Sequence, residues 1–144
     1  MQVRVYAAGK LKDDGLERLC ATSIKRVRPF LPVEVVELRS QAAVCKRLHD
    51  RADGAIRVLL DERGEQLTTR AWADSLHDAR ARGARGLALF IGDATGFSDA
   101  DRSAADHLLA LSRMTLPHRL ARLILLEQLY RAASLIAGHP YHHE

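Results

Sequence analysis

The stretch GLALFIGDATG, residues 86–96, gives the clearest indication of the fold. Its first six residues are apolar without interruption, which is typical of a strand buried on both faces of a parallel sheet. Gly92 and Gly96 then enclose a short loop, and glycine lets backbone N–H groups approach a ligand closely. The segment from Ala55 to Leu60 is nearly all apolar, with Arg57 as its one charged residue. We therefore expect two central strands, one of which leads into a loop suited to ligand binding.

Strands and helices alternate along the rest of the chain. Further strands are expected at residues 2–8, 33–38 and 108–114, and residues 61–64 are expected to end the strand that begins at Ala55. Helices are expected from Asp13 or Asp14 to about Arg28, from Ser40 through Leu48, from Thr68 or Thr69 to about Arg82, from Ser98 onward, and from His118 to Ala137. This alternation predicts an α/β protein, a mostly parallel sheet with helices on both faces, in a single domain of residues 1–144.

The composition excludes several classes of protein. Of the residues, 47% are hydrophobic and 28% are charged, which is ordinary for a soluble globular protein and not for a disordered or fibrous one. No segment is apolar enough to span a membrane, and the N-terminus does not resemble a signal peptide. The two cysteines, Cys20 and Cys45, match neither a disulfide framework nor a metal site. We therefore expect a cytoplasmic protein without a bound metal.

Arginine dominates the basic residues. The chain has 22 Lys and Arg against 18 Asp and Glu, and because lysine occurs only at 10, 12, 25 and 46, 18 of the basic residues are arginine. Arginine suits phosphates and flat base surfaces, although a GC-rich genome produces the same bias. The clusters at residues 25–28 and 80–85 are accordingly interpreted either as RNA contacts or as solvated helix faces.

The last helix is apolar around most of its circumference between Leu120 and Ile136. Such a helix must be buried on nearly all sides. A sheet covers only one side of a helix, so another surface must cover the opposite side. We expect a second copy of the chain to do so, and burial within one chain is the alternative. Glu127 in this helix is interpreted as a structural carboxylate paired with an arginine such as Arg131 or with one from a partner chain.

Three segments follow the carboxyl ends of strands, at residues 59–61, 91–96 and 111–118. Ligands of open α/β sheets bind at this edge, so the three segments are expected to form one site. Leu60, Met114 and Leu116 can supply apolar walls for a flat ring, and the main chain can supply donors and acceptors. A metal cluster of His118 with the histidines at 139, 142 and 143 is not expected, because no helical pair or cysteine partner supports it.

Several motifs resemble those of the ribosomal large-subunit methyltransferase H family, a branch of the SPOUT superfamily. They are MTLPH at residues 114–118, EQLYRA at 127–132 and GHPYHHE at 138–144. VYAAGK at 5–10 and LLDERG at 59–64 extend the resemblance over nearly the whole chain. It implies the SPOUT fold with a C-terminal trefoil knot, a homodimer, and S-adenosylmethionine as the cofactor. It also implies methylation of N3 of a pseudouridine in 23S ribosomal RNA in the ribosome.

Mapped onto this chain, the resemblance implies a cofactor pocket built from the three strand-end segments and completed by a neighbouring subunit. The expected cofactor-binding residues are Leu60, Gly92, Asp93, Gly96, Ser112, Arg113, Met114, Thr115, Leu116 and Pro117. Because N3 of pseudouridine must lose a proton, His118, Tyr141 and His142 are the expected catalytic residues. The expected RNA-binding residues are Arg119, Arg122 and His143.

Three departures distinguish this chain from the family pattern. Asp93 stands where the family has glycine, which places a carboxylate near the cofactor, and His143 stands where the family has arginine. The segment between the second and third strands is also shorter than is usual in the family. Aspartate tolerates a left-handed backbone better than most residues, if the loop requires one. The departures leave an alternative open, an RNA- or ribosome-binding protein with the same knot and a weakened or lost cofactor site.

Overall fold

A five-stranded parallel sheet forms the centre of the molecule. The computed structural model describes residues 1–139. The strands are β1 (Gln2–Ala8), β2 (Val33–Leu38), β3 (Ile56–Glu65), β4 (Gly86–Ile91) and β5 (His107–Leu109). Their order across the sheet is β2-β1-β4-β3-β5, and every neighbouring pair is parallel. Every residue of β4 is buried, which confirms the prediction from its apolar sequence.

Helices cover both faces of this sheet, as predicted. They are α1 (Asp14–Val27), α2 (Gln41–His49), α3 (Thr69–Ala81), α4 (Asp99–Ala104) and α5 (His118–Ile136). On one face, α1, α3 and α5 enclose a core that includes Val5 and Leu89. On the other face, α2 packs against Tyr6 and Phe90, whose rings stack with centroids 5.1 Å apart. The alternation of side chains along each strand produces these two cores.

Four helices begin at the residues that the sequence indicates. The side chains of Asp13, Ser40 and Thr68 each accept a hydrogen bond from the backbone N–H three residues further on, at the start of α1, α2 and α3. Ser98 and Asp101 form a complete capping box at α4. These contacts satisfy N–H groups that a helix cannot satisfy internally. By contrast, α5 follows Pro117 and has no side-chain cap among the described residues.

Two strand boundaries differ from the sequence prediction. Residues 61–64 do not end β3, which continues to Glu65, and β5 ends at Leu109 instead of Met114. Both Leu60 and Glu65 pair with Leu109, so β3 bulges between them. A Cβ atom at Gly64 would lie only 2.6 Å from the carbonyl carbon of Leu108, which shows how closely the two backbones approach. Pairing with β5 therefore overrides the turn character of residues 61–64.

The apolar circumference of α5 is largely covered within one chain. This helix packs against both α1 and α3, and its buried residues include Leu125, Leu129 and Ala132. Burial within one chain, the alternative to a second copy, therefore accounts for much of this apolar surface, because two flanking helices cover it. A second subunit is not needed to explain the helix, and the homodimer stays a prediction. The trefoil knot also stays a prediction, because strand pairing and burial do not establish how the chain is threaded.

Two further findings concern sequence-based exclusions. Among residues 1–139, no helix is both long and apolar enough to cross a membrane. Within the same part of the chain, no group of three His, Cys, Asp or Glu side chains is placed to hold a metal ion.

Candidate active site

The three strand-end segments converge on one cavity of about 540 Å³. This volume lies in the range of sites that hold a small molecule. Nine of the ten residues expected to bind a cofactor line it, namely Leu60, Gly92, Asp93, Gly96, Ser112, Met114, Thr115, Leu116 and Pro117. Arg113 is exposed and does not line it. The sequence prediction that these distant segments meet at the carboxyl edge of the sheet agrees with this geometry.

The loop at residues 92–96 turns around the side chain of Asp93. Its carboxylate oxygen Oδ1 accepts hydrogen bonds from the backbone N–H of Thr95, at 2.9 Å, and from the Thr95 hydroxyl. The N–H of Gly96 donates to the Asp93 carbonyl at 3.1 Å. Gly96 has a φ of 70°, whereas Asp93 does not take the left-handed conformation. The loop therefore accommodates an aspartate at this position without backbone strain, and the Asp93 carboxylate organises the turn.

Asp93 brings a negative charge to the cavity. The hydrogen bond from the Thr95 hydroxyl lowers the pKa of the Asp93 carboxyl below its usual range, and this effect outweighs burial. The Thr95 N–H and the nearby His118 lower the pKa further. Hydrogen bonds and opposite charges favour the ionised form of a carboxyl group, so Asp93 is charged at neutral pH.

The extension of β3, together with α4, supplies polar side chains that are not among the expected cofactor-binding residues. Asp61, Glu62 and Arg102 all line the cavity. Arg102 donates from Nε to Asp61 at 2.8 Å and from Nη1 to Asp99 at 2.8 Å, so its charge is balanced. Glu62 accepts a hydrogen bond of 3.0 Å from the Thr115 hydroxyl, which ties β3 to the segment before α5. These roles depend on β3 continuing past Leu60, which the turn-like sequence concealed.

His118 is the first residue of α5 and lines the cavity. Tyr141 and His142, the other two expected catalytic residues, lie outside the described residues, as does His143. The catalytic and RNA-binding roles of these residues stay predictions.

The structure does not support an RNA-binding role for Arg122. Only 3% of its surface is exposed. Its guanidinium donates to the Glu37 carboxylate at 2.5 Å and to the Gly9 carbonyl at 3.0 Å. Arg122 thus joins α5 to the carboxyl ends of β1 and β2 instead of presenting a charge at the surface. Arg119 is partly buried, and its Nε atom has no hydrogen-bond partner among the described residues.

One other interpretation is confirmed by the structure. Glu127 pairs with Arg131 one helical turn away, at 3.1 Å, within the same chain.

Comparisons with known proteins decide the family. A family model described as a predicted SPOUT methyltransferase matches residues 1–142. The chain belongs to this family. It is 39% identical to the ribosomal RNA large subunit methyltransferase H of Geobacter sulfurreducens, over 99% of this chain and 100% of that protein. The protein of the same name from Brucella anthropi is also 39% identical, over 99% of each chain.

One solved structure shows the same fold at low sequence identity. The SpoU methyltransferase AviRb from Streptomyces viridochromogenes aligns with 96% of this chain and 61% of its own, with a TM-score of 0.50 and 16% identity. The likeness is one of fold alone. The cavity lies at the carboxyl ends of the parallel strands, which is where open α/β sheets bind their ligands.

Proposed function

We propose that this chain is an S-adenosylmethionine-dependent methyltransferase acting on N3 of a pseudouridine in 23S ribosomal RNA. The observation that carries the proposal is the single cavity formed by the three strand-end segments, in a chain that belongs to the SPOUT methyltransferase family. The relatives named as ribosomal RNA large subunit methyltransferase H match over their full length. We further propose that residues 1–144 act as one domain in the cytoplasm.

The cavity fits the chemistry of this cofactor. Leu60, Ile91 and Leu116 supply apolar surface for an adenine ring. The irregular segment at residues 111–117 leaves backbone donors and acceptors free of strand pairing. The ionised carboxylate of Asp93 attracts a sulfonium cation, since opposite charges attract more strongly away from bulk water.

The residues of the chain have a limited chemical task. S-adenosylmethionine supplies a methyl group that its positively charged sulfur already activates. The protein therefore has to align the attacking nitrogen with this methyl group and exclude water. His118 is the described side chain placed to accept the N3 proton or to hydrogen-bond to the base. Met114 is 78% exposed beside the cavity, where an incoming base or partner subunit can cover it and displace water.

We propose that the chain forms a homodimer in which the tail residues act in catalysis, and the length of α5 supports this proposal. His118 lines the cavity at one end of this 19-residue helix, which is about 28 Å long. Beyond the other end, the ring of His139 lies 5.4 Å from that of Phe30, between α1 and β2. His142 follows three residues later and is at most about 11 Å away along the chain. We infer from this separation that the tail beyond His139 serves the cavity of a second subunit.

The alternative is an RNA-binding SPOUT protein that has lost its cofactor. Asp93 and His143 are the departures that suggested it, but the described loop accommodates the Asp93 side chain by turning it onto Thr95. Isothermal titration calorimetry with S-adenosylmethionine separates the two functions. We expect saturable binding, and an absence of heat at millimolar ligand would favour the alternative.

The substrate is tested in cells. Mass spectrometry of 23S RNA should detect the N3-methyl group on pseudouridine when the gene is present and its loss when the gene is deleted. Restoration by the wild-type gene, but not by His118→Ala, is the expected control result. An unchanged modification pattern in the deletion strain would contradict the proposal.

A further inference from the structure

The side chain of Gln41 bridges the two ends of the loop at residues 92–96. Gln41 is the first residue of α2 and does not line the cavity. Its Oε1 atom accepts a hydrogen bond of 2.8 Å from the N–H of Asp93, and its Nε2 atom donates one of 3.0 Å to the carbonyl of Gly96. One amide group thus holds both sides of the loop whose opposite surface faces the cavity.

The other hydrogen bonds of this loop are internal. Thr95 and Gly96 both donate to Asp93, which shapes the turn but does not attach it to the rest of the protein. Within residues 1–139, Gln41 is the side chain from outside the loop that hydrogen-bonds to it. The side-chain hydrogen bonds that attach the loop to the rest of the described chain therefore come from this residue.

Close packing and a rigid support keep the amide in place. A methyl group at Gly92 would lie 2.9 Å from the ring of Phe97 and 3.2 Å from Nε2 of Gln41, so there is no space between them. Helix α2 itself is anchored by Val44 and Leu48, which are completely buried. A loop held in this way does not have to be ordered by its ligand, which saves conformational free energy on binding.

We propose that Gln41 is a positioning residue that fixes the loop at residues 92–96 in the form that binds S-adenosylmethionine. This inference rests on the proposed function of the cavity. Gln41 acts through Asp93 and Gly96 and touches neither the cofactor nor the RNA. Its substitution should therefore change cofactor affinity and leave RNA affinity unaffected.

Two substitutions separate hydrogen bonding from packing. Gln41→Met keeps the length of the side chain and removes both hydrogen bonds, whereas Gln41→Ala removes both the bonds and the contacts. The matched control is Gln66→Ala, because Gln66 is exposed. We expect both Gln41 variants to bind S-adenosylmethionine at least tenfold more weakly than the control, as measured by calorimetry. Tenfold corresponds to about 1.4 kcal/mol.

Kinetics and hydrogen exchange distinguish positioning from a general loss of structure. The KM for S-adenosylmethionine should rise, while kcat at saturating cofactor and the KM for RNA stay within about twofold of the control. In the absence of any ligand, the amides of residues 92–96 should exchange faster with deuterium in Gln41→Met, while those of β1 and β4 remain protected.

The outcomes distinguish this inference from the proposed function. Failure of the wild-type protein to bind S-adenosylmethionine refutes the function of the cavity. Binding by the wild type and by Gln41→Met within twofold of each other refutes the role of Gln41. If Gln41→Ala does not fold, Gln41→Met still provides the measurement, because it conserves side-chain volume.

Discussion

The guanidinium of Arg122 on α5 lies 2.5 Å from the carboxylate of Glu37 on β2. It also donates to the carbonyl of Gly9, at the end of β1. Since Arg122 sits one helical turn after His118, this pair fixes the end of α5 that lines the cavity. An arginine that the sequence suggested for RNA binding is therefore part of the framework of the site.

Arg122→Met should destabilise the fold. The substitution leaves Glu37 and the Gly9 carbonyl without their donor, and we expect a loss of about 2 kcal/mol in the free energy of unfolding. The cost stays below that of a fully buried pair because 39% of the Glu37 side chain is exposed. Urea denaturation measures the change. Arg113→Met is the control, and equal stability of the two variants would contradict the structural role.

Gly64→Ala should disrupt the junction of β3 and β5. The new methyl group would lie 2.6 Å from the carbonyl carbon of Leu108, and a backbone atom cannot yield as a flexible side chain can. We expect a loss of about 2 kcal/mol in the free energy of unfolding and weaker binding of S-adenosylmethionine, because the segment after β5 lines the cavity. Thermal denaturation and calorimetry measure the two effects. The control is Arg63→Ala, because Arg63 is the neighbouring residue and its side chain is exposed. This substitution should change the free energy of unfolding by less than about 0.5 kcal/mol.

Asp93→Asn tests the charge of the loop separately from its shape. Asparagine retains an oxygen that can accept from the Thr95 N–H, so the turn should persist. We expect the affinity for cationic S-adenosylmethionine to fall about threefold, while that for S-adenosylhomocysteine, which lacks the sulfonium charge, stays constant. Competition calorimetry gives both values, and an equal loss for the two ligands would show that the charge is not the cause.

The lowered pKa of Asp93 predicts how the affinity for S-adenosylmethionine depends on pH. The pKa of the Asp93 carboxyl is lowered, chiefly by the Thr95 hydroxyl, so the carboxylate is ionised well below neutral pH. Its attraction for the sulfonium is present at higher pH and is lost only as the pH falls through that lowered pKa. Between pH 6 and 8, Asp93 should therefore contribute no change in affinity. A titration in this range that disappears in Asp93→Asn would contradict the assignment.

Cys45 should react slowly with thiol reagents. Burial raises the pKa of its thiol to about 11, and the charge of Asp101 and the hydrogen bond to it add to the shift. At pH 8 we expect alkylation by iodoacetamide at least tenfold slower than that of glutathione, with the rate rising towards pH 11. Peptide mapping follows the rate at this residue. Asp101→Asn should accelerate it and Asp99→Asn should not, because Asp99 is exposed.

Subunit mixing tests whether two chains share one active site. His118→Ala and a chain ending at His139 should each be inactive as homodimers. In an equal mixture about half of the dimers are heterodimers with one intact site, so about a quarter of the wild-type activity should return. Methyl transfer to ribosomes is the readout. A mixture of His118→Ala with Leu116→Asp should stay inactive, and full activity of the truncated homodimer would exclude a role of the tail.

Local sequence predicted the strands and helices well where local physics decides them. The uninterrupted apolar run of β4 and the capping residues Asp13, Ser40, Thr68 and Ser98 all lie where the sequence placed them. The meeting of the three strand-end segments could also be anticipated, because parallel strands bring their carboxyl ends to one edge. The errors at residues 61–64 and 110–114 have one cause, since pairing between β3 and β5 depends on segments distant in sequence.

The sequence by itself determined the class of fold, the edge of the sheet that carries the cavity, and the residues whose backbones line it. Only the tertiary structure decided which polar side chains hold the elements around the cavity in place through hydrogen bonds. Arg122 is 85 residues from Glu37 and Gln41 is 52 residues from Asp93 along the chain, so no local pattern marks either pair. Burial and hydrogen-bond partners of a long polar side chain depend on what the folded chain places around it, and that is not encoded in neighbouring residues.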